Sequence, residues 1–197
     1  MSEINTNSSS QIANGDRQNT RVRKMTTTAL MTAVICILGP LSVPIGPVPI
    51  SLCNLALFLT MYVLDWKSGV VSYFLYLLIG LIGLPVFSGF GSGPAKLFGP
   101  TGGYIIGYLP MILITGLFLR KHWKNRILSI LVMELSTWVL YLLGTAWLAF
   151  SAHMTFPQAL AAGVLPFIVL DLIKIVIAAL IGPVLRKQLA PFSGVEL

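Results

Sequence analysis

The chain has 197 residues, of which 56% are hydrophobic and 10% are charged, against about 25% charged residues in an average soluble domain. Its mean hydropathy is +0.87, and so little polar surface argues against a soluble enzyme, a disordered protein and a nucleic-acid-binding domain. The formal net charge is +7. In a hydrophobic chain such an excess of Lys and Arg is typical of a membrane protein, in which these residues accumulate at the cytoplasmic ends of the helices.

Six hydrophobic stretches follow a polar, Ser- and Asn-rich N-terminus. We expect a disordered tail at 1–24, a membrane domain at 25–190 and a short C-terminal tail at 191–197. Each stretch is close to the length of roughly 17–25 residues that crosses a bilayer. In lipid, a helix is favoured because it pairs its own backbone N–H and carbonyl groups in hydrogen bonds. The predicted fold is an all-α integral membrane protein with six transmembrane helices, at approximately 26–42, 48–64, 68–85, 102–119, 127–150 and 165–185.

The distribution of basic residues predicts the orientation of these helices. Eleven of the thirteen lie on one side, in the N-terminal tail, two loops and the C-terminal end. Lys96 falls on the other side and Lys174 lies inside the sixth stretch. We therefore expect both termini to be cytoplasmic. The eleven are Arg17, Arg21, Arg23, Lys24, Lys67, Arg120, Lys121, Lys124, Arg126, Arg186 and Lys187.

The outer loops are rich in Gly and Pro and, apart from Lys96, uncharged. They cover 44–49, 84–103 and 151–166, and they are either plain connectors or a lid over an outward-facing site. The third loop is predicted to hold a short surface helix. Thr155 caps its start, Pro157 lies in its first turn and Gly163 ends it.

Three ionisable residues lie within hydrophobic stretches, where each costs at least about 2.5–3.5 kcal/mol. Asp171 and Lys174 are three positions apart, so they share one helix face within pairing distance. They are either a self-neutralising pair or a polar cradle that binds a ligand. Their depth, in the outer half of the membrane, favours the cradle. Glu134 lies nearer the cytoplasmic side, and we expect it to have a structural role.

Three aromatic residues, Tyr104, Tyr141 and Trp147, lie at the same outer level. They are either interfacial anchors or walls of an apolar pocket beside Asp171 and Lys174.

Several classes of function are not supported by the sequence. It has no P-loop for ATP, no nucleophile–base set or paired carboxylates for catalysis, and no channel filter motif. The cysteines at 36 and 53 and the histidines at 122 and 153 are isolated, so we expect no metal site and no cofactor. The pattern favours a small membrane protein that binds a ligand, is not an enzyme and needs an outside energy source.

The first hydrophobic stretch carries a small-xxx-small pattern at Ala29 and Ala33. Such a pattern lets another helix approach closely. In a chain without its own energy source, this face is a candidate docking surface for an energising partner.

Taken together, these motifs resemble the BioY family, the biotin-binding S components of energy-coupling-factor (ECF) transporters. The resemblance extends over nearly everything after residue 25. The stretches that carry it are Pro47-Val-Pro-Ile-Ser-Leu52, Gly83-Leu-Pro-Val-Phe87, Gly99-Pro-Thr-Gly-Gly-Tyr104, Tyr141-Leu-Leu-Gly-Thr-Ala-Trp147 and Asp171-Leu-Ile-Lys174.

The resemblance implies a six-helix S-component fold in the bacterial cell membrane, capture of biotin from outside and no intrinsic ATPase. It also implies a transmembrane coupling subunit, docked on Ala29 and Ala33, and two ATP-binding-cassette ATPases. One departure is visible, because Cys53 stands where the family usually has Gln. Asn54 is the candidate substitute for the polar contact of that Gln.

Biotin fits a pocket of this kind chemically. Its ureido ring offers two N–H donors and one carbonyl acceptor, which match the Asp171 carboxylate and the Lys174 ammonium. Its carboxylate has three candidate partners: Lys96, Lys174 and the backbone N–H groups of Gly102 and Gly103 at a helix N-terminus. The alternatives are an S component for another vitamin and a membrane scaffold subunit that binds no small molecule.

Overall fold

A computed structural model describes residues 18–192 in full, and they fold as a helical bundle with one small hairpin. Each predicted hydrophobic stretch contains one helix. In chain order the elements are α1 (Ser2–Leu38), β1 (Ser42–Val43), β2 (Ile50–Ser51), α2 (Cys53–Val63), α3 (Trp66–Leu81), α4 (Pro94–Phe98), α5 (Gly102–His122), α6 (Arg126–Ser151), α7 (Phe156–Gly163) and α8 (Ile168–Ser193).

The helices differ in length more than the sequence suggests. Helices α5, α6 and α8 are long and apolar enough to cross a membrane, whereas α2 and α3 are apolar but have 11 and 16 residues. The predicted helix over 48–64 is wrong at its start, where residues 50–51 form a strand. Residues 44–49, which include Gly46, Pro47 and Pro49, form the turn between this strand and the strand at 42–43. The number of membrane spans stays a prediction.

The hairpin fills the space where the predicted helix would have begun. Strands β1 and β2 are antiparallel, with Ser42 opposite Ser51 and Val43 opposite Ile50. The Ser51 hydroxyl donates to the Gly39 carbonyl at 2.8 Å and accepts from the backbone N–H of Cys53 at 3.0 Å. The hairpin is thereby tied both to the end of α1 and to the start of α2.

The connections between the helices lie at two ends of the bundle. The loop end consists of residues 39–52, 82–101 and 152–167, and the basic end consists of 64–67 and 120–126. Trp66 links the two parts of the basic end, because a Cβ added to Gly116 of α5 would lie 3.0 Å from the Cβ of Trp66. The turn between α2 and α3 is therefore level with the last part of α5.

Small residues let the helices approach closely, as is common in membrane bundles. A Cβ added to Gly107 of α5 would lie 2.9 Å from a methyl group of Leu140 on α6. A Cβ on Gly182 of α8 would overlap the ring of Tyr62 on α2. These glycines fix the α5–α6 and α2–α8 contacts at distances that larger residues would prevent.

Pairs of hydroxyl groups connect helices inside the bundle. Thr115 of α5 and Ser136 of α6 lie 2.9 Å apart, and Thr32 of α1 and Ser72 of α3 are also 2.9 Å apart. All four side chains are buried. Their mutual hydrogen bonds satisfy polar groups that would otherwise be costly to bury.

The short surface helix predicted for the third outer loop is present as α7, and its ends are confirmed. Thr155 is the N-cap residue, Pro157 lies in the first turn and Gly163 is the last residue. The Gln158 side chain accepts from the backbone N–H of Thr155 at 3.0 Å, which completes a capping box.

The predicted tails fall partly outside the described residues: Met1 and 194–197 are not described, and of 2–17 and 193 only the helical backbone is. Residues 18–24 of the N-terminal tail are helical, because a formed helix extends at little cost. Their end of α1 contacts α8, where Arg23 donates to the Pro191 carbonyl at 3.3 Å and Thr27 donates to the Phe192 carbonyl at 3.1 Å. The domain boundaries stay a prediction.

Arg186, expected among the basic residues at a helix end, is buried with 2% exposure. Its guanidinium donates to the Leu119 carbonyl at 3.3 Å and lies 5.1 Å from the ring centre of Trp123. It therefore joins α8 to the end of α5 and to the loop that follows.

We predict that Arg186→Met destabilises the bundle by about 2 kcal/mol, because it removes a charge-assisted hydrogen bond and a cation–π contact. Thermal unfolding in detergent measures this as a lower midpoint. Lys187→Met, at the exposed neighbouring position, is the matched control and should leave the midpoint nearly unchanged. Equal shifts in the two variants would contradict the contribution assigned to Arg186.

Candidate ligand-binding site

The centre of the site is the carboxylate of Asp171, which accepts three hydrogen bonds. Its Oδ1 accepts from Asn54 Nδ2 at 2.8 Å and from Lys174 Nζ at 2.9 Å. Its Oδ2 accepts from the Tyr141 hydroxyl at 2.7 Å. All four side chains are buried, with exposures between 3% and 7%, so the pair faces the interior of the bundle and not the lipid.

Each member of this polar cluster comes from a different place in the chain. Asp171 lies in the first turn of α8 and Lys174 follows one turn later. Asn54 belongs to the first turn of α2, and Tyr141 to the second half of α6. The Lys174 ammonium also donates to the Ser51 carbonyl at 2.7 Å, which connects the cluster to the hairpin.

A cavity with an empty volume of about 630 Å³, open mouth included, lies beside the cluster. Within the described part of the chain, Lys174 is its one basic lining residue. The remaining lining is mostly apolar and aromatic, as is usual for small-molecule sites. The lining residues are Val48, Pro49, Ser51, Cys53, Asn54, Tyr73, Tyr76, Phe87, Ser88, Thr101, Tyr104, Ile105, Tyr108, Leu140, Tyr141, Gly163, Phe167, Asp171 and Lys174.

Aromatic rings form one wall of the cavity. The rings of Tyr73 and Tyr76 on α3 have centroids 5.6 Å apart, and Phe87 meets Tyr76 edge-on at 5.5 Å. The Tyr73 hydroxyl donates to the Ile105 carbonyl at 2.5 Å, and the Tyr76 hydroxyl donates to the Val86 carbonyl at 3.1 Å. These bonds hold the rings in fixed positions.

Four further aromatic residues line the cavity and were not predicted from the sequence: Tyr73, Tyr76, Phe87 and Tyr108. A signal was present, because Tyr73 and Tyr76 are three positions apart and Tyr104 and Tyr108 are four apart within apolar helices. Buried tyrosine hydroxyls need partners. Tyrosines repeated at helical spacing therefore mark a helix face that meets polar groups or a cavity.

Tyr104, predicted from its place at the outer end of a helix, lines the cavity from the first turn of α5. Its hydroxyl donates to the Gly163 carbonyl of α7 at 2.9 Å. A Cβ on Gly144 of α6 would overlap its ring, and one on Gly163 would overlap its hydroxyl. Tyr104 therefore depends on two glycines for its position.

Four other predicted residues, Gly102, Gly103, Trp147 and Lys96, are outside the cavity lining. The Gly102 N–H donates to the Gly99 carbonyl at 3.0 Å, so it is not free for an anion. The Trp147 indole donates to the same carbonyl at 3.0 Å. A Cβ on Gly103 would overlap Trp147, so this group packs α5 against α6.

Lys96 of α4 lies along the loop rather than in the cavity. A Cβ added to Gly91 would be 3.0 Å from its Cδ, so its stem covers the Gly91 backbone. The expected contact between Lys96 and a ligand carboxylate has no support in this arrangement.

Cys53 and Asn54, at the start of α2, lie where the sequence departs from the family pattern. Cys53 and Asn54 both line the cavity. The Cys53 thiol lies 3.9 Å from the Tyr76 hydroxyl. The Asn54 amide donates to Asp171, and its oxygen accepts from the Leu55 N–H at 3.0 Å. Asn54 thus brings a polar side chain into the cluster.

Glu134 and the small-residue pair of α1 lie away from the cavity. Glu134 is half-buried on α6, and its Oε2 has no hydrogen-bond partner among the described residues. Ala29 and Ala33 are exposed on α1, on the same face as the exposed Leu30 and Ile37.

Comparisons with known proteins identify the family and the fold of this chain. The model of the BioY family matches residues 9–191. The biotin transporter BioY2 of Lactococcus lactis is 36% identical over 173 residues, which are 88% of this chain and 95% of that protein. The biotin transporter BioY of Thermotoga maritima is 37% identical over 167 residues, which are 84% of this chain and 97% of its own length.

A solved structure agrees with the sequence comparisons. The crystal structure at 2.1 Å of the S-component for biotin from an ECF-type ABC transporter matches with a TM-score of 0.80. It is 36% identical and covers 86% of this chain and 94% of its own.

The three membrane-length helices, together with relatives that are biotin transporters, define a multi-pass membrane protein of the plasma membrane. It is of the S-component class and is not an enzyme. The chain belongs to the BioY family.

We predict that Asp171→Leu destabilises the ligand-free protein by about 3–5 kcal/mol, because it leaves the Lys174 ammonium buried without its counter-charge. The double variant Asp171→Leu/Lys174→Met should recover at least half of that loss. Thermal unfolding of the single and double variants measures the coupling. A double variant destabilised by the sum of the single effects would show that the two side chains do not interact.

Proposed function

We propose that this protein is the high-affinity biotin-binding subunit of an ECF transporter and mediates uptake of biotin across the cell membrane. The observation that carries the proposal is the buried cluster of Asp171, Lys174, Asn54 and Tyr141 beside an aromatic cavity. It is supported by relatives named biotin transporters and by the solved S-component for biotin.

Hydrogen-bonding groups left over in the cluster can pair with one N–H and with the carbonyl of the ureido ring of biotin. Asp171 Oδ2 accepts one protein hydrogen bond and has a further lone pair for a ligand N–H. The Lys174 ammonium donates to Asp171 and to Ser51, which leaves one N–H for a ligand carbonyl. The Asn54 amide has a second N–H. One acceptor and two donors therefore remain, enough for one ureido N–H and for both lone pairs of the ureido carbonyl.

The charges of the cluster favour a neutral head group at this position. Asp171 and Lys174 form an ion pair at 2.9 Å, so their charges cancel. A ligand carboxylate placed there would be attracted by Lys174 and repelled by Asp171, so it would gain little net electrostatic energy. The ureido group is neutral and carries both donors and an acceptor. We infer that it occupies the cluster while the thioether ring and valeryl chain contact the aromatic wall.

We further propose six membrane spans, with both termini in the cytoplasm. Helices α1, α5, α6 and α8 cross as helices, and α2 and α3 cross together with the loop segments that adjoin them. The basic end carries exposed Lys67, Arg120, Lys121, Lys124 and Arg126, which is typical of a cytoplasmic surface. The loop end, with the cavity beneath it, then faces outward. The membrane domain covers 25–190 between the tails 1–24 and 191–197.

Transport energy comes, in this proposal, from a coupling subunit and two ATP-binding-cassette ATPases. The exposed face of α1 supports a docking role for Ala29 and Ala33, because small exposed side chains let a partner helix approach closely. The ATPases act through the coupling subunit and do not contact α1.

We predict that purified protein binds biotin with micromolar or tighter affinity, measured by titration of its tryptophan fluorescence. Asp171→Asn and Lys174→Ala should each weaken binding by about 2 kcal/mol or more, or roughly thirtyfold, because charge-assisted hydrogen bonds are lost. Glu134→Gln, a carboxyl-to-amide change outside the cavity lining, is the matched control and should bind normally.

A panel of other vitamins separates this proposal from its alternatives. Preferential binding of a different vitamin would assign the chain to another substrate. Failure of every member of the panel to bind would favour a scaffold subunit.

We predict that Ala33→Leu prevents copurification of the chain with the coupling subunit after co-expression, because the larger side chain blocks close helix contact. Biotin affinity should not change. Ala146→Leu, at an exposed alanine on α6, is the control for the same substitution elsewhere. Unchanged copurification of Ala33→Leu would exclude this face as the docking surface.

A further inference from the structure

The loop end is unusual for a surface in water. Its three segments contain two ionisable residues, Lys96 and His153, and no carboxylate. Six large apolar side chains in its first two segments are each exposed by 53–80% of their area. They are Val43, Ile45, Ile82, Leu84, Phe90 and Phe98. Surfaces with so many exposed apolar side chains are normally covered by a partner or a membrane.

Helix lengths determine how deep this end lies. At 1.5 Å per residue, α2 is about 16 Å long and α3 about 24 Å, whereas the hydrocarbon core is about 30 Å thick. Their shared turn belongs to the basic end, where Lys67 lies over the Trp66 ring. The start of α2 and the end of α3 therefore lie inside the hydrocarbon, short of its opposite edge. The loop segments joined to them, 39–52 and 82–101, also begin inside it.

We propose that the first two segments of the loop end, 39–52 and 82–101, are immersed in the bilayer, with their exposed apolar side chains in contact with lipid at the boundary between acyl chains and head groups. This surface continues the lipid-facing side of α3, on which Phe74 and Leu78 are exposed. The occupant is therefore the same lipid that surrounds the helices. It requires no second protein.

The backbone of the loop end is compatible with such a position, because irregular segments at membrane depth must have their polar groups paired. Strands β1 and β2 pair with each other, and Phe87 pairs with Gly91. Across segments, the Gly89 N–H donates to the Pro40 carbonyl at 3.1 Å. The Gly93 N–H donates to the Gly80 carbonyl at 2.8 Å. The loops thus resemble a folded cap rather than free connectors.

Spin labels on single cysteines test this position in nanodiscs that contain the purified chain alone. Labels at Ile45→Cys and Phe90→Cys probe two segments of the loop end, and Lys124→Cys at the basic end is the aqueous control. The two native cysteines are removed first, so each single cysteine is introduced into the variant Cys36→Ala/Cys53→Ala. If that background does not fold, the unsubstituted chain is labelled in parallel and its spectrum is subtracted.

The accessibility of each label is measured to two reagents, oxygen, which is concentrated in lipid, and a nickel chelate, which stays in water. The measured quantity is the oxygen accessibility divided by the chelate accessibility. We expect this ratio to be at least threefold higher at Ile45 and Phe90 than at Lys124. An aqueous ratio at either position would overturn the proposal. Protection from both reagents would also overturn it, because it would indicate a protein contact instead of lipid. The result does not depend on biotin binding.

Discussion

The ion pair of Asp171 and Lys174 is the interaction on which the rest of the structure depends. Burying two charges costs more than their attraction returns unless the remaining hydrogen-bonding positions are also satisfied. Here Asn54, Tyr141 and the Ser51 carbonyl supply those bonds. They come from α2, α6 and the hairpin, so the two charges on α8 require these elements to meet at one point.

The break before α2 provides both a ligand for the ammonium and room for the cavity. A continuous helix over 48–64 would use the Ser51 carbonyl in its own ladder, and its first turns would fill the space above Cys53. Residues 50–51 form β2 instead, and it ends with the Ser51 carbonyl free to accept from Lys174. Broken helices serve in the same way to place carbonyls at binding sites in other membrane proteins.

Features set by local spacing could be predicted from the sequence, and features set by tertiary contacts could not. The i, i+3 spacing of Asp171 and Lys174 determines their common face in any helix, and the capping box of α7 is equally local. The packing of Gly103 against Trp147, and the course of Lys96 along Gly91, depend on how distant segments meet. The predicted ligand role of Lys96 rested on its position in an outer loop, that of Gly103 on a helix N-terminus and that of Trp147 on its level in the membrane, and none of these three features determines which side chains meet.

Three tyrosines on the cavity wall show how the site is held in one shape before any ligand arrives. Each hydroxyl donates to a backbone carbonyl in a different segment: Tyr73 to Ile105, Tyr76 to Val86 and Tyr104 to Gly163. Side-chain rings on α3 and α5 are thereby tied to α5, to the loop after α3 and to α7. Because these rings are already fixed, little conformational entropy remains to be lost on binding, which favours affinity in a small cavity.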